Sequence, residues 1–306
     1  MGRRWLWWGV QALVFLLVLA LVGRSLVRNW DAFAAARFAF TLRPGWLLVS
    51  VALIGVTYLV QVESWRRILR GWNQPLGFGA AARIWFLANL GRYVPGKVWS
   101  VAGLVVLAQG EGVRPWAATA SAVAVQAIGI GTAVAVVAVA TPGAESPLRL
   151  LGAAAVAAAT IAVLAWEFTT RRIGQVVPKM EQLRPLPITV LLVSCALTLL
   201  NWTLYGASFW ALGQGMGYGA LPLAGAVGVF ALGYVLGLLA LFAPGGAVVR
   251  ESVFIALLTP VVGAGPAIGV SLASRLVLTI TEAAAGLGAV LASRSSKENV
   301  LESRER

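Results

Sequence analysis

The sequence predicts an all-α, polytopic membrane helix bundle, with about six full spans and two re-entrant helical hairpins arranged as an inverted pseudo-repeat. Three observations predict it. The 306-residue chain is 59% hydrophobic and only 11% charged, whereas soluble domains run near ~25% charged. Its apolar runs reach the ~20 residues that a helix needs to cross a bilayer, and they are continuous rather than alternating, which selects helices over a barrel. Two Pro-Gly breaks, Pro95-Gly96 and Pro244-Gly245-Gly246, stand 149 residues apart in matching surroundings.

The full spans fall at 5–23, 46–62, 116–140, 148–166, 188–212 and 266–291. Arg3 and Arg4 precede the first, which is longer than the apolar core of a signal peptide and reads as an uncleaved anchor. Arg24 to Pro44 is mixed in character and long enough for a short interfacial helix. After the second span, Glu63 to Trp72 places arginines beside Trp65, Ile68, Leu69 and Trp72, a pattern that suits a helix lying among headgroups.

Ala80–Val94 and Lys97–Gln109 flank the first break. At 1.5 Å per residue each arm spans about 20 Å, short of a ~30 Å hydrocarbon core, so the pair fits a hairpin that enters and leaves on one side. Pro222–Ala243 and Val248–Thr259 flank the second break, and there the first arm is long enough to cross. Corresponding Gly/Pro-interrupted segments in two halves of a membrane protein point to a substrate site.

The positive-inside rule orients this layout. With the N-terminus cytoplasmic and both hairpins re-entrant, fifteen basic residues lie inside, including Arg66, Arg67, Arg70, Arg83, Arg114, Arg171, Arg172, Lys179 and Arg184. Five lie outside: Arg24, Arg28, Arg37, Arg43 and Arg149. Both termini are then cytoplasmic, in a cell membrane, with a short charged tail at 293–306 after a membrane domain at 1–292.

Charge within the spans is costly unless it has a role. A helix beginning inside the membrane presents unpaired N–H groups and partial positive charge, which suits an anion. Lys97 stands beside the first such terminus and Arg250 beside the second; Arg92 adds a guanidinium suited to bidentate phosphate contact. Glu251 is placed to cap its helix or pair with an arginine. Arg275 and Glu282 share one face of the last span, placed to pair with Glu251 and Arg250 or to gate. The expected substrate-binding set is therefore Arg92, Lys97, Arg250, Glu251, Arg275 and Glu282, with Pro95, Gly96, Pro244, Gly245 and Gly246 as the breaks. Lys97, Arg92, Arg250 and Arg275 exceed the two carboxylates by two, which leaves room for an anion. Asn89, Gln126 and Asn201 read as interhelical hydrogen-bonding residues, Trp202 and Tyr205 as lipid-tail contacts or packing, and Gly233-xxx-Gly237 as close packing.

Several functions are excluded. No histidine is present and Cys195 is the one cysteine, so Ser-His or Cys-His catalysis, an intrachain disulfide and a His/Cys metal cluster all fail. The net charge of +13 sits at span ends rather than on a basic-aromatic stripe, which favours anionic lipid over nucleic acid. Gly77-Phe78-Gly79-Ala80-Ala81-Ala82 matches a dinucleotide fingerprint only formally, because no strand precedes it. No Walker motif, cofactor site or metal site is expected.

The segments Asn89 to Trp99 and Ala243 to Glu251, with Ser274-Arg275-Leu276, resemble the lysylphosphatidylglycerol synthase transmembrane (flippase-like) family over about residues 10–292. The resemblance implies lipid translocation without settling which lipid, anionic phospholipid or polyprenyl-linked. Full synthases of the family carry a cytosolic aminoacyl-transferase domain after the membrane region, and this chain ends at Arg306, so the expectation is a non-enzyme. Ala247 is a second, minor departure. A secondary transporter of a small anionic solute is the alternative, and a non-catalytic membrane partner of a cell-envelope biosynthetic enzyme is the third reading. Oligomeric state is not readable from the sequence.

Overall fold

Proline opens several of the helices. Pro44, Pro115 and Pro147 each occupy a first helical position, where the missing N–H is not needed. The structure is a computed structural model that describes residues 42–93, 98–140, 147–165, 167–176, 182–240, 246 and 248–305. Among the described residues there are ten α-helices and no strand: α1 (Pro44–Gly71), α2 (Phe78–Leu90), α3 (Val98–Gly110), α4 (Pro115–Ala140), α5 (Pro147–Ala165), α6 (Glu167–Val176), α7 (Ile188–Gly215), α8 (Leu223–Leu239), α9 (Val249–Val262) and α10 (Ala264–Glu305). A 3-10 turn, Gly91–Tyr93, follows α2.

Four helices are long and apolar enough to cross a membrane: α1, α4, α7 and the Ala264–Leu291 part of α10. With the shorter apolar helices they form a polytopic membrane bundle. The expected span at 148–166 is α5, an apolar helix of 19 residues. The expected span at 5–23 and the segment after it, to residue 41, lie outside the described residues. Leu48, Leu59, Leu192, Leu272, Leu276 and Ile280 are exposed on the outer helix faces, an apolar rim suited to lipid tails.

The order long, short, short, long occurs twice, as α1–α4 and as α7–α10. α1 and α7, each of 28 residues, pack antiparallel. The Arg43 N–H donates to the Gly215 carbonyl at 2.9 Å at one end. At the other, a Cβ on Gly71 would meet Leu186 at 3.0 Å. Between these ends the hydroxyls of Ser50 and Ser208 lie 3.0 Å apart.

α2 and α3 form an antiparallel helical hairpin, with Gly103 against Ala88 and Gly91 against the Trp99–Ser100 backbone. Its base is closed by the Arg83–Glu111 ion pair and by the Arg114 N–H, which donates to Gln74 Oε1 at 3.0 Å. α8 and α9 form a second such hairpin, with Gly233 against Phe254 and Gly237 against Arg250. The first base lies at the Gly71 end of α1, where Trp72 meets Trp116 edge-on at 5.7 Å. The second lies at the opposite end, beside the turn after α7, where Met216 touches Gly269. The arms of 13, 13, 17 and 14 residues reach about 20–26 Å, shorter than the 28-residue α1 and α7.

Two apolar clusters hold the halves. One joins Trp65, Ile68 and Leu69 of α1 to Ile84, Trp85, Leu104 and Ala117. The other joins Tyr58, Tyr205, Phe209, Phe230, Phe254 and Leu278. Phe86 packs against both.

One local expectation fails. Residues 63–72 are not a separate helix lying among headgroups. α1 runs unbroken through Gly71, and Trp65, Ile68 and Leu69 are fully buried. The Trp65 Nε1–H donates to Ser121 Oγ at 3.0 Å, and the Trp72 Nε1–H to the Arg184 carbonyl at 2.8 Å. Arg66 and Arg67 fold back onto Glu63, each at 2.8 Å. The apolar positions keep the helical spacing of the preceding span with no breaker between, so the stripe that suits an interface here meets the first hairpin.

Candidate functional site

The second break is built by glycines and a carboxylate. Gly246 has φ +67°, a left-handed conformation costly for any residue with a Cβ. A Cβ there would also fall 3.0 Å from the Gly237 Cα. Val248 holds φ +72° as N-cap of α9. Glu251, three residues on, accepts the Val248 N–H at 2.6 Å, the backward half of a capping box. Gly233 and Gly237 thus form the slot that seats Phe254, Arg250 and the break, a more specific role than general close packing.

Arg250 is 7% exposed. Its guanidinium lies 3.2 Å from Glu251 and over the Phe254 ring at 5.7 Å. Its Nε is buried without a hydrogen-bond partner among the described residues. Glu251 also faces Arg275 at 3.6 Å. At the first tip, Arg92 donates to Glu282 of α10 at 2.6 Å and to Asn89 Oδ1 at 2.7 Å. Glu282 therefore pairs with Arg92 rather than with Arg250, the partner that its spacing had suggested. Asn89 bonds within its own hairpin rather than between helices. Among the described residues, three arginines here stand beside two carboxylates.

A cavity of about 520 Å³ lies between the tips, within the ~300–1,000 Å³ range of small-molecule sites. Arg92 and Arg250 line it; Glu251, Arg275 and Glu282 do not. They stand behind the lining as ion-pair partners. Lys97, Pro95, Gly96, Pro244 and Gly245 lie outside the described residues. Gly246 lines the cavity at the second tip.

The remaining lining is rich in neutral polar groups: Gln61 and Ser64 of α1, Asn89 of α2, Gln126 of α4, Thr198, Asn201 and Tyr205 of α7, and Tyr234 of α8. Gln126 and Leu239 are the two described lining residues with exposed side chains. Both lie part-way along the bundle.

The lysylphosphatidylglycerol synthase TM region family matches residues 7–286. The chain belongs to that family. No curated protein matches it. What matches is the membrane region of the synthase, nearly the whole of this chain, and the cavity is a feature of that region.

In this member of the family the sequence left most of the neutral lining without a site role. Gln126 and Asn201 read as interhelical hydrogen-bonding residues. Among the described residues, however, Gln126 makes no hydrogen bond to another helix, and Asn201 Oδ1 is buried without a partner. Trp202 donates to Thr132 Oγ1 at 3.1 Å, and Tyr205 takes a long bond from Gln61 Nε2 at 3.4 Å. A signal for part of this set did exist. Ser50, Gln61 and Ser64 in α1 recur at equal spacing as Ser194, Tyr205 and Ser208 in α7, 144 residues on. The recurrence marks the helix faces that meet.

Proposed function

We infer that this protein moves a lipid with an anionic headgroup, an anionic phospholipid or a polyprenyl-linked lipid, across a bilayer. The observation that carries the reading is the cavity between the two hairpins, with buried Arg250 and part-buried Arg92 in its wall. A buried cation such as Arg250 is costly in an apolar setting, and an anionic headgroup offsets that cost. On this reading the headgroup enters beside the exposed Gln126 and Leu239 while the tails stay in the bilayer; a soluble anion needs a water path to one end instead.

Membership in the family supports the same reading. In the arrangement that goes with it, there are about six spans, counting 5–23, and both hairpins are re-entrant from opposite faces as an inverted repeat. Residues 1–292 form the membrane domain, and residues 293–306 a cytoplasmic tail on the same side as the N-terminus. Alternating exposure then comes from rocking one repeat against the other.

Purified protein in proteoliposomes tests the function. Fluorescent phosphatidylglycerol on the inner leaflet should become accessible to an added membrane-impermeant quencher faster than in protein-free vesicles. Equal rates, with uptake of a soluble phosphate instead, would assign the solute-transporter reading. Co-purification of a cell-envelope enzyme with no transport of either kind would assign the partner reading.

A further inference from the structure

We propose that Arg70, Arg114 and Arg184 form a second anion site, apart from the cavity, which holds the phosphate of an anionic phospholipid in the headgroup layer at the Gly71 end of the bundle. None of the three arginines lines the cavity. The ligand here is a stationary one, not the lipid that is moved.

Three connections bring these arginines to one corner. Arg70 lies in the last turn of α1, and its carbonyl accepts the Asn73 N–H at 2.9 Å. The Arg114 N–H donates to Gln74 Oε1 at 3.0 Å, which ties the turn before α4 to the turn after α1. The Arg184 carbonyl accepts the Trp72 Nε1–H at 2.8 Å, which brings the segment before α7 to that same turn. Between these anchors Trp72 meets Trp116 edge-on at 5.7 Å, and both residues are buried. All three arginines are exposed above this apolar floor. From anchors so close, long guanidinium side chains can meet over one phosphate.

Charge separates the three from their neighbours. The carboxylates nearest to them in sequence are already held: Glu63 by Arg66 and Arg67, and Glu111 by Arg83. Among the described residues, Arg70, Arg114 and Arg184 have no ion-pair partner. Three like charges on adjoining turns repel one another. A phosphate between them replaces that repulsion with charge-assisted hydrogen bonds.

Position along the bundle names the source of the phosphate. The 28 residues of α1 span about 42 Å, longer than a ~30 Å hydrocarbon core and close to the ~40–45 Å that includes the headgroups. Its last turn, with Arg70, then stands at headgroup depth. Phe78, at the start of α2, is 39% exposed and offers an apolar contact to the glycerol and upper acyl chain. At the opposite end, the turns at 216–222 and 262–265 carry no charge, so the site belongs to one leaflet. A phosphate bound there joins the base of the first hairpin to the starts of α4 and α7.

The experiment is thermal melting of the full chain in neutral detergent, titrated with dihexanoyl-phosphatidylglycerol, dihexanoyl-phosphatidylcholine and glycerol 3-phosphate. An Arg250→Gln background removes the main cation of the cavity and leaves this site intact. The phosphatidylglycerol should raise the melting temperature at concentrations about tenfold or more below those that the phosphatidylcholine needs. Arg70→Gln, Arg114→Gln and Arg184→Gln should each weaken that binding about fivefold, and the triple variant about a hundredfold. The substituted side chains are exposed, and melting without lipid checks that each variant folds. Arg171→Gln with Arg172→Gln, which removes two other exposed charges, should leave the affinity unchanged. Equal binding of the phosphatidylcholine, native affinity in the triple variant, or the same loss from the α6 pair would overturn the proposal. Glycerol 3-phosphate as effective as the phosphatidylglycerol would keep the phosphate site and overturn its lipid source. Absence of the melting shift in a protein that still translocates lipid sinks this site alone; a retained shift in a protein that moves no lipid sinks the translocase reading alone.

Discussion

Arg92 and Glu282, 190 residues apart in sequence, meet at 2.6 Å and tie the first hairpin tip to the last helix. Both side chains are mostly buried, at 26% and 11% exposure. Removing either partner takes from the other its counter-charge at 2.6 Å. Glu282→Ala should destabilise the protein by about 1–3 kcal/mol, below the ~3–5 kcal/mol of a fully buried pair because Arg92 keeps some exposure. Arg92→Leu with Glu282→Leu should recover at least half of the loss. Thermal melting in detergent reads both; a double variant no better than the single one would refute the pairing's role.

Glu251 serves two ends at once, capping α9 and standing between Arg250 and Arg275. Glu251→Gln retains a side-chain acceptor for the cap but loses the charge, and Glu251→Ala loses both. The expected order of melting temperature is native, then Gln, then Ala, with the cap alone accounting for ~0.5–2 kcal/mol. Identical melting of the Gln and Ala variants would remove the cap from the account.

Gly246 and Gly237 touch backbone to backbone. Gly246→Ala should cost about 1–3 kcal/mol, from the positive φ and from overpacking. Gly233→Ala would drive a Cβ to 2.4 Å from the Phe254 ring and should behave alike. Gly55→Ala and Gly152→Ala meet nothing within 4 Å and sit in helix interiors, so they should be neutral or stabilising by up to ~1 kcal/mol. Melting temperatures of the four variants separate the two classes; equal losses in all four would contradict the packing described.

Ser50 and Ser208 bond across α1 and α7, each hydroxyl also reaching the other residue's carbonyl. A double-mutant cycle with Ser50→Ala and Ser208→Ala should give a coupling of roughly 0.6 kcal/mol, the usual size for interhelical bonds in membranes. Zero coupling would mean that close packing alone joins these helices.

Much of this architecture was legible because its signals are local. Apolar run length gave α1, α4, α7 and α10, and Pro and Gly gave the interruption at Gly246. Arg250, Glu251, Arg275 and Glu282 stood out because charge in an apolar run is conspicuous alone. What was not legible was which charges pair: seven-residue spacing puts Arg275 and Glu282 on one face, but their partners are set by how far each tip reaches. The Trp65–Trp72 segment misled because a headgroup-facing stripe and a core-facing stripe have the same period. Gln126 and Asn201 were hidden for a similar reason. A single amide in a span looks the same whether it bonds a neighbouring helix or faces a cavity, and only the meeting of α1, α4, α7 and α8 separates the two.

Arg250 is the residue proposed to receive the anionic headgroup. Its most direct test is the rate of phosphatidylglycerol translocation by Arg250→Gln in proteoliposomes, with melting temperature confirming the fold. A hydrogen bond to a charged group contributes ~1.5–3 kcal/mol, so the rate should fall about tenfold to a hundredfold. Arg250→Lys should fall between, since an ammonium keeps the charge without the fork. A folded Arg250→Gln protein that translocates at the native rate would contradict the account.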